Sequence, residues 1–158
     1  GRSLGIRKKQ NDDLHVQWAV PFEPGTLTAI SRKNGKTVLT KTIKTASEAA
    51  RIELVADRQI LHANGVDLSF ITVKITDKNG NLVPEAANPV YFTWSGEGTI
   101  AGLESGYPAS GEPFKAAFRK TYNGLCLAII KSGIKKGEFH LSARSEGLAP
   151  ATIALKIR

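Results

Sequence analysis

A single cysteine, few aromatic residues and no long apolar run exclude several kinds of protein. Among the 158 residues there is only one cysteine, so no internal disulfide can form. The cysteine count therefore does not indicate whether the protein resides in an oxidising or a reducing compartment. No run approaches the roughly 18 apolar residues of a membrane helix, so we expect no membrane insertion. No segment within these residues has the basic start and the following apolar stretch of a signal peptide. With 41% hydrophobic and 23% charged residues, the composition is that of a globular protein.

Positive charge is concentrated in the first third of the chain. Residues 1–46 carry nine Lys and Arg against three Asp and Glu, whereas the remaining residues carry thirteen against eleven. A basic stretch can bind nucleic acid or an anionic surface, or it can be the solvated face of a sheet. No aromatic residues alternate with these bases, as a platform for stacking nucleic-acid bases would require. We therefore favour the solvated face and expect no nucleic-acid partner.

The hydrophobic period is two almost throughout, which predicts an all-β protein. Leu14–Val20 alternates and predicts a strand. The segments 26–32 and 36–43 flank Asn34-Gly35, a dipeptide typical of a type I′ hairpin turn. Small and polar residues at 47–51 indicate a linker. We divide the chain into an incomplete β-domain at 1–46 and a second domain at 52–158.

The spacing of short strands in 52–158 predicts an immunoglobulin-like β-sandwich. Turn signals separate eight candidate strands: 52–56, 68–76, 90–95, 99–103, 114–119, 125–131, 138–145 and 151–157. The predicted core also includes the buried thiol Cys126. Its other members are Ile71, Val73, Ile75, Phe92, Trp94, Leu127, Ile129, Phe139, Leu141, Ile153 and Leu155.

The sequence offers no convincing catalytic or metal-binding set, and we expect no cofactor. Glu97, Glu104 and Glu112 lie near glycines, and no strand or helix spacing fixes two of them as the carboxyl pair of a glycosidase. The three histidines are scattered and lack the spacing of metal ligands. The segment DKNGN at Asp77–Asn81 departs from a calcium loop, and we interpret it as a turn in which Gly80 takes a positive φ.

Three stretches resemble parts of one enzyme family. The segment Glu112–Ile130 reads EPFKAAFRKTYNGLCLAII, and Asp77–Ala86 reads DKNGNLVPEA. The first resembles the "EPFKA…R…NG.C" stretch in the C-terminal immunoglobulin-like domain of family 2 glycoside hydrolases of the β-galactosidase type. The second resembles a turn of bacterial immunoglobulin-like domains. Leu14–Gly25 and Leu27–Thr45 resemble a short β-domain of unknown function that precedes this module in the same enzymes.

This resemblance implies a non-catalytic accessory region of a bacterial, exported hydrolase, acting in the periplasm or at the cell surface. In the related enzymes the catalytic glutamates lie on a barrel, and nothing in this chain resembles one. The implied partners are the catalytic and other domains of the hydrolase. Gly1–Gly5 resembles the second half of a hairpin, so the N-terminal sheet looks truncated and could self-associate.

The loop 104–113 is the one place where the sequence supports a binding function. Glu104, Tyr107, Glu112 and Tyr122 could contact a sugar through aromatic faces and polar groups, or they could dock another domain. We favour docking. For the whole chain the leading hypothesis is an accessory pair of domains that brace the catalytic barrel, set oligomer contacts or shape the rim of the cleft. The alternatives are a carbohydrate-binding module and an immunoglobulin-like repeat of a surface adhesin.

Overall fold

The computed structural model describes all 158 residues and consists of strands without helices, which confirms the all-β prediction. No helix is present that could span a membrane. Eleven strands follow in order: β1 Thr26–Lys33, β2 Lys36–Lys44, β3 Arg51–Ala56, β4 Ile60–Leu61, β5 Leu68–Thr76, β6 Pro89–Gly96, β7 Gly98–Glu104, β8 Phe118–Lys120, β9 Leu125–Ser132, β10 Gly137–Arg144 and β11 Ala151–Ile157. The chain divides into two compact units, Gly1–Lys44 and Thr45–Arg158.

The first unit contains one antiparallel hairpin, β1–β2, with Leu27 opposite Ile43. Asn34 and Gly35 have φ values of 51° and 77°, so both central residues of the turn are left-handed. This is the geometry that a type I′ turn requires, and it confirms the predicted hairpin.

The predicted strand at Leu14–Val20 is wrong, because this segment forms no ladder in the structure. Alternating hydrophobicity favours a strand only where a neighbouring strand accepts its backbone hydrogen bonds, and here none does. The Arg7 guanidinium instead lies 5.9 Å from the ring centre of Trp18. Every residue from 1 to 44 is exposed, as expected for a two-stranded sheet without a covering layer.

The second unit is a sandwich of two sheets, which confirms the predicted architecture. A four-stranded sheet has the order β3-β5-β9-β7, and a five-stranded sheet has the order β4-β11-β10-β6-β8. All pairs in these sheets are antiparallel except β4 with β11. The short strand β4 was not predicted, and the strand expected at 114–119 is reduced to β8 because residues 114–117 belong to the preceding loop.

The core lies between the two sheets, and most of the predicted core residues are in it. Ile153 is partly buried and packs against the core. Seven predicted residues are confirmed as buried: Ile71, Val73, Ile75, Phe92, Phe139, Leu141 and Leu155. Cys126 is also buried, as predicted, and burial raises the pKa of its thiol to about 12. The thiol is therefore protonated and unreactive at neutral pH.

Leu127 and Ile129 were predicted on the wrong face of β9. The buried residues of this strand are Cys126, Ala128 and Ile130, so Leu127 and Ile129 point away from the core and are only half-buried. The run LCLAII is apolar at every position, so its period does not say which face is inside.

Trp94 is also not a core residue, since 44% of it is exposed. It has the same parity as the buried Val90 and Phe92, and it lies opposite the buried Leu141 of β10. On the other side, however, β8 pairs only with residues 89–91 of β6. The Trp94 end of β6 therefore has no neighbouring strand on that side. Trp94 lies on the same face of the strand as the core residues but stays partly exposed there.

The turn after β5 is organised by the buried carboxylate of Asp77. Its oxygens accept hydrogen bonds from the backbone N–H groups of Ser47, Asn79 and Asn81 at 2.9–3.0 Å, and from the Asn81 amide at 3.0 Å. Gly80 has a φ of 83°, which confirms the predicted turn. The Asn81 side chain contributes most, followed by the Ser47 N–H, to a pKa of Asp77 far below its ordinary value of 3.8.

Acid should therefore destabilise the sandwich through Asp77. Its pKa is lower in the folded chain than in the unfolded chain, so its contribution is fully present above about pH 4 and disappears as the pH falls further. We expect Asp77→Asn to lower the midpoint of urea unfolding at pH 7 and to reduce the loss of stability between pH 5 and pH 2. Glu146→Gln, in the exposed β10–β11 turn, is the control. An unchanged pH slope in Asp77→Asn would contradict this prediction.

Candidate functional site

The loop between β7 and β8, residues 105–117, crosses from one sheet to the other and folds back against the end of β7. The N–H of Leu103 donates to the carbonyl of Phe114 at 2.7 Å, which holds the returning part of the loop beside the strand. The N–H of Ser110 donates to the carbonyl of Tyr107 at 3.1 Å and forms a turn at the tip. The loop is thus an ordered segment with its own hydrogen bonds.

A buried arginine holds this loop in place. Arg119 lies on β8 opposite the buried Val90, and its side chain is 1% exposed. Its Nη2 donates to the carbonyls of Leu103 at 2.6 Å and Pro113 at 3.0 Å. Its Nη1 donates to the carbonyl of Glu112 at 3.1 Å. One guanidinium therefore joins the end of β7 to the far side of the loop.

The remaining contacts of Arg119 include one opposite charge, the Glu112 carboxylate. Nη1 also lies 3.2 Å from the Ser110 hydroxyl and 3.4 Å from a carboxylate oxygen of Glu112. The same Glu112 oxygen accepts the N–H of Lys120 at 3.1 Å. The ring of Phe114 lies 5.6 Å from the guanidinium carbon, while Nε has no partner. A planar, always charged group that serves several carbonyls at once is a task for arginine rather than lysine.

Glu104, at the end of β7, caps the start of the loop. Its Oε1 accepts the N–H of Gly106 at 2.8 Å and of Ser105 at 2.7 Å. These two bonds, the one from Gly106 first, hold the pKa of Glu104 below its ordinary value. A glycosidase needs one carboxyl group whose pKa is raised so that it can donate a proton, and Glu104 is shifted in the opposite direction.

No two of the three candidate carboxylates form a catalytic pair. Glu97 lies in the turn before β7 and Glu104 at the end of the strand, so the length of β7 puts their backbones roughly 20 Å apart. Glu112 is engaged by Arg119 and Lys120. Glu104 and Glu112 therefore hold the loop in position through hydrogen bonds to nearby residues.

Tyr107 and Tyr122 meet as an aromatic pair. Their ring centres are 5.1 Å apart with the planes inclined at 36°. Tyr122 forms an antiparallel bridge with Leu125, and Glu104 lies opposite Leu127. Residues that lie opposite each other in such pairs share a face, so Tyr122 and Glu104 belong to the outer face of the four-stranded sheet.

A depression of about 340 Å³ lies in the loop, and Glu104, Tyr107, Glu112, Phe114 and Arg119 are among its lining residues. Three of the four predicted site residues thus lie around one depression, and Tyr122 joins them through its contact with Tyr107. Whether these residues bind a ligand stays a prediction.

The sequence analysis did not recognise Arg119 as the residue that organises the site. The arginine is part of the EPFKA…R…NG.C pattern, so its position in the motif was visible. An arginine in a three-residue strand is, however, usually a solvated side chain. Only the loop carbonyls that converge on it in the structure reveal its function.

Family models match both units. Residues 52–154 match the model described as glycoside hydrolase family 2 C-terminal domain 5. Residues 1–39 match a model described as a domain of unknown function, DUF4982.

Individual relatives agree with these matches. The β-galactosidase BoGH2A of Bacteroides ovatus is 48% identical over 155 residues, which are 98% of this chain and 18% of that protein. A glycosyl hydrolase family 2 member from Bacteroides cellulosilyticus superposes with a TM-score of 0.80 at 35% identity, over 88% of this chain and 18% of that one. A β-glycosidase from Bacteroides vulgatus superposes with a TM-score of 0.83 at 27% identity, over the same shares.

This chain therefore spans less than a fifth of the length of these relatives. The matched family is a C-terminal domain, and no carboxyl pair suited to glycoside hydrolysis is formed by Glu97, Glu104 and Glu112. The chain belongs to the family of C-terminal domains of glycoside hydrolase family 2, as a non-catalytic accessory region.

Proposed function

We propose that this chain is a structural module of a β-galactosidase-type glycoside hydrolase and that it braces the catalytic domain. The observation that carries this proposal is the match to the B. ovatus β-galactosidase, which extends through both units in one order and over 98% of the chain. The ordered loop around Arg119 supports it, because an internally hydrogen-bonded loop offers a fixed surface to a neighbouring domain.

We expect the module to act by limiting the motion of the catalytic domain rather than by contacting the reacting atoms. Glu104 and Glu112 accept hydrogen bonds from the protein itself, which fits two side chains that position a loop. The partner that we propose is a domain of the same polypeptide, for which the tether provides a high effective concentration. Export to the periplasm or cell surface stays a prediction.

The test replaces the matching 155 residues of the B. ovatus β-galactosidase by this chain and compares the chimera with a deletion of the same residues. We expect the chimera to hydrolyse a chromogenic β-galactoside with a kcat/KM close to that of the parent enzyme. The deletion should lose activity faster on heating, because a braced domain unfolds more slowly. The isolated chain should show no turnover. A deletion as heat-resistant as the parent would disprove the bracing function.

A carbohydrate-binding module is the second candidate, favoured by the Tyr107–Tyr122 pair. The two rings are 48% and 40% exposed, and aromatic faces often stack on sugar rings. Galacto-oligosaccharides would then change the tyrosine fluorescence of the isolated chain, and Tyr107→Ala would abolish the change. No response up to millimolar sugar would leave the bracing function alone.

A further inference from the structure

The two outer faces of the sandwich differ in character. On the five-stranded sheet, the outward residues of β6, β10 and β11 are mostly polar, and several are hydroxyl-bearing or charged: Thr93, Ser95, Glu138, His140, Ser142, Thr152 and Lys156. Such alternation of an apolar inner face with a polar outer face is typical of an antiparallel sheet in contact with water.

The outer face of the four-stranded sheet is apolar at its centre. Ile129 lies between Phe70 of β5 and Gly102 of β7, and Leu127 lies between Thr72 and Glu104. Val55 of β3 lies on the other side of Thr72. These cross-strand neighbours form one continuous surface, in which Val55 and Phe70 are 40% and 39% exposed.

The aromatic pair of the loop extends this surface. Leu125 is the next outward residue of β9, and it lies opposite Tyr122, on which Tyr107 packs. We call this surface the apolar outer face. It consists of Val55, Phe70, Tyr107, Tyr122, Leu125, Leu127 and Ile129.

A strand that is apolar on both sides is typical of a sheet covered on both faces. β9 has this character, since its inward Cys126, Ala128 and Ile130 alternate with outward leucine and isoleucine. We infer that the apolar outer face is a docking surface, and that its occupant is another domain of the longer hydrolase polypeptide, outside residues 1–158. This inference rests on the proposed function.

The size of the face favours a tethered domain over a second copy of the chain. Its exposed area is on the order of 500 Å², below the roughly 800 Å² that each partner of a stable complex buries. A contact within one polypeptide needs less area, because the tether already holds the partners together. The B. ovatus β-galactosidase that matches this chain is more than five times its length, so further domains of such a polypeptide are available to cover the face.

The charges around the face fit a partner of mixed polarity. Glu53 and Lys74 lie opposite each other beside Val55 and form an ion pair at 3.9 Å, and Glu104 and Lys131 border the face near β7. Both signs are present, so the face carries no excess that would select nucleic acid or an anionic membrane. The expected partner surface is apolar in the middle with a polar rim.

The test uses the chimera with the B. ovatus enzyme together with the isolated chain. Val55→Lys and Leu127→Lys change the apolar outer face on two different strands, and Ser142→Lys changes the outer face of the other sheet as the matched control. In each case the midpoint of thermal unfolding of the isolated chain is measured first, so that variants that merely misfold are recognised. Val55 lies on an edge strand, where lysine can reach water, and keeps the test informative if Leu127→Lys fails to fold.

We expect the Val55→Lys chimera to lose β-galactosidase activity roughly tenfold faster on heating than the unmodified chimera, and the Ser142→Lys chimera to match it. Equal half-lives for Val55→Lys and Ser142→Lys would overturn the inference. An unmodified chimera that is active but no more heat-resistant than the deletion would instead refute the bracing function.

A dimer of the isolated chain that Val55→Lys converts to monomer would assign the face to a second copy. Tyrosine fluorescence that responds to galacto-oligosaccharides in the wild-type chain but not in Val55→Lys would assign it to sugar, and either result overturns the tethered-domain occupant.

Discussion

Replacing Arg119 by methionine should lower the free energy of unfolding of the sandwich by about 3–5 kcal/mol, as expected when one partner of a buried charge pair is removed. The guanidinium is 1% exposed and serves the carbonyls of Leu103, Glu112 and Pro113. Methionine fills most of the volume but donates no hydrogen bond, so the three carbonyls lose this donor and the Glu112 carboxylate keeps only the N–H of Lys120. The midpoint and slope of urea unfolding measure the effect.

Two further variants separate the charge of Arg119 from its shape. Arg119→Lys keeps the charge but cannot reach both sides of the loop, so we expect an intermediate loss. Arg144→Met removes an exposed arginine on β10 and should leave stability within about 0.5 kcal/mol of the wild type. If Arg119→Met were as stable as Arg144→Met, the loop would not depend on the guanidinium.

Replacing Phe139 by alanine should cost about 3–5 kcal/mol, the usual range for a buried phenylalanine. Phe139 is fully buried on β10 and lies opposite Gly96 and Leu155 of the neighbouring strands. Gly98 lets its ring approach the backbone of β7, since a Cβ on that glycine would stand 3.0 Å from the ring. The ring thus packs directly over Gly98, and alanine at position 139 would leave a cavity there.

Trp94→Ala is the informative comparison, because tryptophan is the larger residue and the sequence places it in the core. With 44% of its surface exposed at an open edge, it should cost only about 1–2 kcal/mol. Thermal or urea unfolding of the two variants side by side gives the ranking. A loss for Trp94→Ala equal to that for Phe139→Ala would mean that the edge of β6 is covered in solution.

The turn at Asp77–Asn81 and the β1–β2 hairpin were predictable because their causes are mainly local. Asn34-Gly35 and the DKNGN segment contain the residues that a positive φ and side-chain capping require, and Ser47 is the one distant donor to the Asp77 carboxylate. The alternating strands of the sandwich were also predictable, since period two and turn residues depend only on nearby sequence. The family, too, was visible in the short EPFKA…R…NG.C pattern.

The candidate site was predicted only in part. Glu104, Tyr107 and Glu112 could be grouped because they lie on one loop, and Tyr122 was added from a neighbouring turn. Their relation to Arg119 and to the outer face depends on how β7, β8 and β9 are arranged in two sheets, and spacing along the chain does not specify that arrangement. The strand predicted at Leu14–Val20 failed for a similar reason, because a strand requires a partner that the alternation itself does not provide.

The sequence by itself determined that this protein is built from strands, where its tight turns lie, and to which family it belongs. The tertiary structure alone decided which side of β9 faces the core, whether Trp94 is buried, and what Arg119 does. The physical reason is that period and turn chemistry act over a few residues, whereas burial depends on the layer that covers a face. A run such as LCLAII is compatible with either face until the facing sheet selects one, and the face left over is then free to meet a partner.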